Sequence, residues 1–485
     1  MTLGELIGPD ADLSADQAAL PIAGLAADSR QVKPGYLFAA LPGVKTDGAR
    51  FIADALGRGA VAILTQDAVD AATRAAVIVD RDPRKRLAQI AARFFGAQPK
   101  AIVAVTGTNG KTSVASFVRQ LWEKAGIAAA SLGTVGVVSP QGTQVLRHTT
   151  PDPIELHAIL ARLARERVTH LALEASSHGL QQRRLDGVKL MAGAFTNISR
   201  DHLDYHTSFE DYFAQKLRLF TELLPRGAVA VVDMDTEAGP RVADVAAAAG
   251  LEVVSVGCAG RSLRLASVQI DGFAQRLDIE HGGTRHTVRL PLVGGFQASN
   301  ALVAAGLAIA TGAPVKDVLP RLAHLQGATG RLDLAGSARC GAPIFIDYAH
   351  TPDALAVALD ALRPFVANRL LVVFGCGGDR DKGKRSMMGA AATAKSDVVI
   401  VTDDNPRSED PASIRKEILA EAPGAREIGD RAQAISEAVA MLKQGDVLLV
   451  AGKGHETGQS IGSTVTPFSD HDAVATALTE RGEIG

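Results

Sequence analysis

Apolar residues in this chain gather in short runs, most of which end in Gly, Asp, Asn, Ser or Thr, and the stretches between them carry apolar residues at helical spacing. Short apolar runs closed by turn residues predict buried strands, and helices between them make a layered α/β chain with parallel sheets. The first region predicts strands at 35–40, 60–64 and 76–79, separated by polar loops around Asp28-Ser29-Arg30 and at 42–48. Asp82-Pro83 then opens a charged helical connector that ends at Gln98-Pro99. A second region alternates strands and helices to about residue 330, with strands at 169–174, 192–196 and 228–232. The third has strands at 344–346, 370–374, 398–402 and 447–451, the last three running into the polar loops GCGGDRDKGKR, DDNPRSED and GKGHE. Loops at the carboxyl ends of parallel strands are where open α/β sheets bind ligands.

A length of 485 residues exceeds one ordinary core, and 47% apolar with 4% aromatic content suits several Ala/Val/Leu-rich layers. A formal charge of −2 with no basic block argues against nucleic acid as a partner. Cys258, Cys340 and Cys376 lie far apart, so neither a disulfide framework nor a zinc site is expected and a reducing compartment fits. MTLGELIGPD carries no basic segment followed by an apolar one, and the apolar stretch at 301–311 is too short for a bilayer. A cytoplasmic enzyme without membrane association is the expectation.

The chemistry begins at AIVAVTGTNGKTS, residues 101–113, where a strand breaks into a glycine-rich turn. Gly107 and Gly110 let the backbone N–H groups of Thr108 and Asn109 curl towards anionic oxygens. Lys111 supplies a point charge for β/γ-phosphates, Thr112 a hydroxyl for Mg²⁺, and the helix expected over 112–124 aims its positive end at the same place. The spacing is tighter than in the usual P-loop.

Glu174 ends a strand before Ala-Ser-Ser-His-Gly-Leu, and His202 stands in Asn-Ile-Ser-Arg-Asp-His-Leu-Asp, 197–204, after the next strand. Parallel strands would bring both to the rim that holds Lys111, where an oxygen and a nitrogen ligand could bind a second Mg²⁺; a capping role for Asp201 and His202 is the competing reading. Lys216 shares the apolar face of a helix over 208–223 with Tyr212, Phe213, Leu219 and Phe220. A bare ammonium there either snorkels to water or takes up CO₂ to become a carbamate able to bind metal.

In family order the chain carries TGTNGKTS, EASSHGL, N-x-x-R-DHLDYH, YFAQKLRLF, GRLD, DYAHTPDAL, GCGGDRDKGKR, DNPR and GKGHE. Over essentially its whole length it resembles the Mur ligases, the ATP-dependent amino-acid-adding enzymes of bacterial peptidoglycan synthesis. The similarity is strongest to members that add meso-diaminopimelate. It implies three domains: 1–98 for the UDP-sugar, 99–332 with a central P-loop ATPase-like parallel sheet for ATP, and a Rossmann-like 333–485 for the amino acid. It implies that Gly107, Thr108, Asn109, Gly110, Lys111, Thr112 and Ser113 hold ATP, with Asn300 at adenine, Arg331 at the phosphates and Asp347 at ribose. Thr112, Glu174, His202 and carbamylated Lys216 would hold two Mg²⁺. One departure is Gln297, where many relatives carry Asn.

The same resemblance implies that Ser29, Arg30, Val44, Lys45, Thr46, Thr149, Thr150, Ser176, Gln182 and Arg184 grip UDP-N-acetylmuramoyl-L-alanyl-D-glutamate. Arg380, Asp404, Asn405, Pro406, Arg407, Gly452 and Glu456 would take meso-diaminopimelate. A guanidinium at Arg407 suits the distal carboxylate that lysine lacks, with Asp404 and Asn405 accepting from the ammonium. The implied reaction passes the γ-phosphoryl group to the D-glutamyl γ-carboxylate, aided by Lys111 and Arg331, and the incoming amine then displaces phosphate. A monomer is expected. L-lysine addition, folate polyglutamylation and a non-catalytic nucleotide-regulated scaffold are the rival readings.

Overall fold

The structure is a computed structural model that describes residues 1–8, 13–43, 47–68, 74–199 and 205–480. Val44, Lys45, Thr46, Asp201 and His202, nominated from the sequence, lie outside the described residues. The chain forms two compact units, Met1–Val256 with Val303–Pro314, and Gly257–Leu302 with Val315–Gly485.

The first unit begins with a four-stranded parallel sheet in the order Gly24–Ala26, Tyr36–Ala40, Ala60–Thr65, Ala76–Val79. Helix Pro83–Phe95 starts at Asp82, whose carboxylate accepts from Lys85 N, and stops at Gly96 with φ 72°. Its buried Leu87, Ile90 and Ala91 face Leu3, Leu6 and Ile7 in one apolar cluster.

The unit's larger sheet carries the parallel run Glu252–Gly257, Val229–Asp233, Ala192–Phe195, Ala101–Thr106, His170–Glu174, Ala129–Gly133. Strands Gly136–Ser139 and Gly142–Gln144 extend it antiparallel. Ala101–Thr106 is buried throughout, as a strand sandwiched on both sides and both faces must be. Each fully buried Val or Ile in it contributes roughly 1.5–3 kcal/mol, so a charge anywhere along it would break the sheet. Its neighbours end beside it, which sets residues 107–110, Glu174 and Thr196 along one rim.

The second unit holds a six-stranded sheet in the order Asp333–Ser337, Pro343–Asp347, Val447–Ala451, Leu370–Phe374, Val398–Val401, Arg426–Glu427. Only the first pair is antiparallel. The chain order reverses at Val447–Ala451, and the loops after Asp347, Phe374, Val401 and Ala451 open at one edge, as at a topological switch point.

One sequence expectation needs correction. Residues 263–290 form three antiparallel strands, Leu263–Asp271, Ala274–His281 and Thr284–Leu290, rather than alternating strands and helices. Their charged outer faces, paired as Arg264–Glu280 and Arg289–Asp271, hid the alternation. The helical character expected over 208–223 is present as the α-helix Phe209–Arg218, which widens into a π turn at Leu219–Leu223.

Candidate active site

Gly107 and Gly110 adopt φ of 151° and 85°, and a Cβ on Gly107 would land on Thr196 Oγ1. Gly110 caps helix Lys111–Glu123, so the first N–H groups of a 13-residue helix open onto the loop. The loop is held from the neighbouring strand end. Thr108 N donates to Asn197 O at 2.8 Å, Asn109 N to Asn197 Oδ1 at 2.9 Å, and Thr196 Oγ1 to Asn109 O at 2.6 Å.

Lys111 Nζ donates to the carbonyls of Gly107 and Thr108 at 2.9 and 2.7 Å, folded back over the loop. Lys216 reaches the same loop, donating to Gly107 O at 2.7 Å from a side chain only 1% exposed. Its Nζ also lies 4.3 Å from the centroid of Tyr212, whose hydroxyl pairs with Thr108 Oγ1 at 2.9 Å. The snorkelling expectation is thereby corrected: the ammonium turns inward to a carbonyl and an aromatic face instead of water.

Glu174 is 1% exposed and accepts from Thr134 N at 2.8 Å and Thr134 Oγ1 at 3.2 Å. Among the described residues no cation is paired with it, and a buried carboxylate without a counter-charge is costly unless an ion is supplied. Gly133 makes room for it, since a Cβ there would strike the carboxylate. These features fit Mg²⁺, a hard cation that prefers oxygen donors.

Thr149 Oγ1 pairs with Thr134 Oγ1 at 3.1 Å, linking Glu174 to a second cluster. Thr150 Oγ1 donates to Glu174 O at 2.8 Å and pairs with Ser176 Oγ at 3.0 Å. Arg184 donates to Thr150 O at 2.5 Å and to Gln182 Oε1 at 2.8 Å, and Gln182 Nε2 to Tyr205 Oη at 2.9 Å. Burial pulls the Arg184 pKa below its ordinary value. Thr149, Thr150, Ser176, Gln182 and Arg184 are thus one connected group. Ser29 and Arg30 sit apart on a 3₁₀ turn, Ser29 buried and Arg30 exposed with its guanidinium forked onto Asp28 at 2.9 and 2.6 Å.

In the second unit, Asp347 Oδ2 accepts from Leu332 N at 2.7 Å and Oδ1 from Ala349 N at 2.8 Å. Burial pushes its carboxyl above the usual range despite Arg331 nearby. The Arg331 guanidinium lies 4.8 Å from the Tyr348 ring centroid, and its buried Nε has no hydrogen-bond partner among the described residues. An orphaned guanidinium N–H of this kind suits a phosphate oxygen. Gln297, fully buried, donates to Arg331 O at 3.3 Å and accepts from Asn300 Nδ2 at 3.1 Å, so it ties Asn300 to Arg331.

The loop after Val398–Val401 brings Asp404, Asn405, Pro406 and Arg407 against the loop after Leu370–Phe374: Gly378 N donates to Asn405 O at 2.9 Å, and Arg407 Nη1 to Gly378 O at 2.7 Å. Arg407 takes the uncommon φ of 52° and is clipped to a hairpin, donating to Ser460 O at 2.9 Å and accepting from Gly462 N at 2.6 Å. Gly452, φ 116°, packs where a Cβ would meet Asp404 Oδ2 at 2.7 Å. Asn405 Nδ2 donates to Glu456 Oε2 at 2.8 Å. Arg380 is exposed, with one 3.5 Å contact to Asp379 O.

Sequence reading missed Thr134, Asn197 and Lys453. Thr134 and Asn197 follow strands that end on the loop's own rim, which was the available signal; Lys453 lay within GKGHE but between two glycines that read as a turn.

In the first unit a glycine-rich loop at a helix N-terminus shares a strand rim with the buried Glu174 carboxylate, an arrangement suited to a nucleotide phosphate and its metal ion; in the second unit the switch-point loops open at the edge where α/β sheets bind ligands. The chain matches the models for the Mur ligase family catalytic domain at 21–95, the Mur ligase middle domain at 105–308 and the Mur ligase glutamate ligase domain at 330–454. It is 58% identical over 485 residues, 99% of this chain and 100% of the relative, to a UDP-N-acetylmuramoyl-L-alanyl-D-glutamate–2,6-diaminopimelate ligase of Bradyrhizobium diazoefficiens. A relative of the same name from Brucella melitensis is 55% identical over 95% of each chain. A solved structure bearing that name superposes over 100% of both chains with a TM-score of 0.75 and 31% identity. The chain belongs to the Mur ligase family.

Proposed function

We propose that this chain joins meso-diaminopimelate to the D-glutamyl γ-carboxylate of UDP-N-acetylmuramoyl-L-alanyl-D-glutamate, using ATP and releasing ADP and phosphate, in peptidoglycan precursor synthesis. The observation that carries this reading is end-to-end identity of 58% to a relative named for that reaction, with DNPR standing in a loop that faces its partner loops.

In this reading residues 1–98 hold the UDP-sugar, 99–332 ATP and 333–485 the amino acid, in a monomeric cytoplasmic enzyme. The N–H groups at 108–113 and Lys111 cradle the triphosphate, and Arg331 offers its orphaned Nε to the phosphates. Thr149, Thr150, Ser176, Gln182 and Arg184 orient the muramoyl dipeptide near Glu174, with Ser29, Arg30 and the 44–46 loop on the uridine end. Arg407 pairs with the distal carboxylate of diaminopimelate, and Asp404 and Glu456 with its ammonium. Thr112, Glu174, His202 and Lys216, as a carbamate, are the residues that would hold Mg²⁺; the ions supply neutralisation of charge on the transferring phosphoryl group. The γ-carboxylate oxygen attacks the γ-phosphorus, ADP leaves, and the amine then attacks the acyl carbon and expels phosphate. Mass spectrometry of the product tests the assignment: a UDP-muramoyl tripeptide one diaminopimeloyl residue heavier supports it, and unchanged dipeptide with all substrates and Mg²⁺ present contradicts it.

A further inference from the structure

Among the described residues Lys453 is a fully buried ammonium outside the glycine-rich loop region, with a side chain 0% exposed. It stands between Gly452 and Gly454, with φ of 116° and 55°, and this pair of left-handed turns drives the lysine into the body of the unit just after strand Val447–Ala451. An ammonium has three N–H donors, and all three are used: Asn405 Oδ1 at 3.2 Å, Glu456 Oε2 at 3.0 Å and Gly458 O at 2.7 Å.

The acceptors belong to three segments. Asn405 lies in the DNPR loop, Glu456 at the end of GKGHE, and Gly458 begins the hairpin that clips Arg407. Asn405 is fully engaged as well, since Oδ1 also accepts from Ser460 N at 2.9 Å and Nδ2 donates to Glu456 Oε2. Its amide is therefore spent on the scaffold. Glu456 is held by one oxygen only; Oε1 has no hydrogen bond among the described residues.

We propose that Lys453 is a positioning residue for the amino-acid pocket: it locks Asn405 and Glu456 together so that Glu456 Oε1 faces the ammonium of the incoming diamino acid. The inference rests on the ligase reading above and adds to it the residue that sets the pocket's geometry. Lys453 also sets the charge of the pocket. Burial alone would push the Glu456 carboxyl up, whereas the Lys453 ammonium and the hydrogen bonds from Asn405 and Lys453 bring it below its ordinary value. Without the lysine both of its contributions are lost and only the Asn405 hydrogen bond and the His455 charge oppose burial, so Glu456 becomes easier to protonate, which weakens the partner of the substrate's ammonium.

The test is steady-state kinetics of Lys453→Met, of similar length without the charge, with each of the three substrates varied. Losing a charged hydrogen-bond anchor should raise KM for meso-diaminopimelate about tenfold or more, while KM for ATP and for the UDP-muramoyl dipeptide stays within about twofold. The acid limb of kcat/KM for the amino acid should move to higher pH, and Lys453→Arg should recover part of the loss. An unchanged KM for diaminopimelate, or an equal rise for all three substrates, overturns the inference while leaving the ligase intact. Absence of diaminopimelate-dependent turnover in the parent enzyme overturns the ligase reading and this inference with it. Should Lys453→Met fail to fold, Asn405→Asp serves, because it keeps the lysine satisfied but sets a carboxylate oxygen against Glu456 Oε2. The same selective KM rise is expected, and an unchanged KM overturns the inference.

Discussion

Lys216 donates a 2.7 Å hydrogen bond to the carbonyl oxygen of Gly107, 109 residues away in the chain. A residue on the helix Phe209–Arg218 is thereby fixed to the first glycine of the glycine-rich loop, so a change at Lys216 reaches that loop directly. Lys216→Ala should lower ATP turnover at least about a hundredfold, since it removes both the anchor and the proposed carbamate. Formate or acetate should restore part of the activity by supplying a carboxylate in the carbamate's place. Phosphate release with and without these anions measures it; full activity in the variant, or no rescue, contradicts the assigned role.

Thr134 donates twice to Glu174, once from its backbone and once from its hydroxyl. Thr134→Val keeps the shape and the backbone donor but frees the carboxylate to swing. Groups that orient a metal-binding carboxylate commonly govern affinity, so the Mg²⁺ concentration for half-activation should rise about tenfold. A Mg²⁺ titration of ATP turnover checks this, and an unaltered midpoint would remove Glu174 from metal binding.

Gln297 links Asn300 to the carbonyl of Arg331. Gln297→Leu preserves most of the volume and cuts both bonds, leaving the Asn300 amide buried without that partner. The KM for ATP should rise about three- to tenfold, with the KM for the amino acid unmoved. Equal changes in both would assign Gln297 to general stability.

His157 is 1% exposed and its Nε2 has no partner among the described residues; burial lowers its pKa to about 4 from 6.5. The folded state keeps this imidazole neutral while the unfolded chain binds a proton below pH 6.5. Stability is therefore complete above pH 6.5, declines as pH falls towards 4, and levels off below that, a loss of about 3 kcal/mol in all. Thermal melts between pH 7.5 and 4 should show a shallower decline in His157→Leu than in the parent; parallel curves would mean that another group carries the acid sensitivity.

Much of this site is written in local sequence because its residues follow strands. Gly107 to Thr112, Glu174 and the DNPR run each sit immediately after a short apolar segment, and apolar runs bounded by turn residues are the clearest strand signal a sequence offers. Strands Ala76–Val79, Leu370–Phe374 and Val447–Ala451 match their predicted limits residue for residue. The contacts between loops were not legible. That Lys216 turns inward to Gly107, that Gln297 bridges Asn300 and Arg331, and that Lys453 gathers Asn405, Glu456 and Gly458 depend on side chains meeting across long sequence separations. No periodicity reports such meetings. The antiparallel strands at 263–290 escaped because cross-strand ion pairs such as Arg264–Glu280 place charge where alternation would otherwise show apolar residues.

The most direct test of the account is phosphate release from ATP with Mg²⁺ and UDP-N-acetylmuramoyl-L-alanyl-D-glutamate, with meso-diaminopimelate or L-lysine as acceptor, for the parent enzyme and for Arg407→Ala. Turnover with diaminopimelate should exceed that with lysine by at least about a thousandfold in kcat/KM, and that preference should collapse in Arg407→Ala. Comparable turnover with lysine in the parent would contradict the specificity assigned to Arg407, and no turnover with either acceptor would contradict the ligase assignment itself.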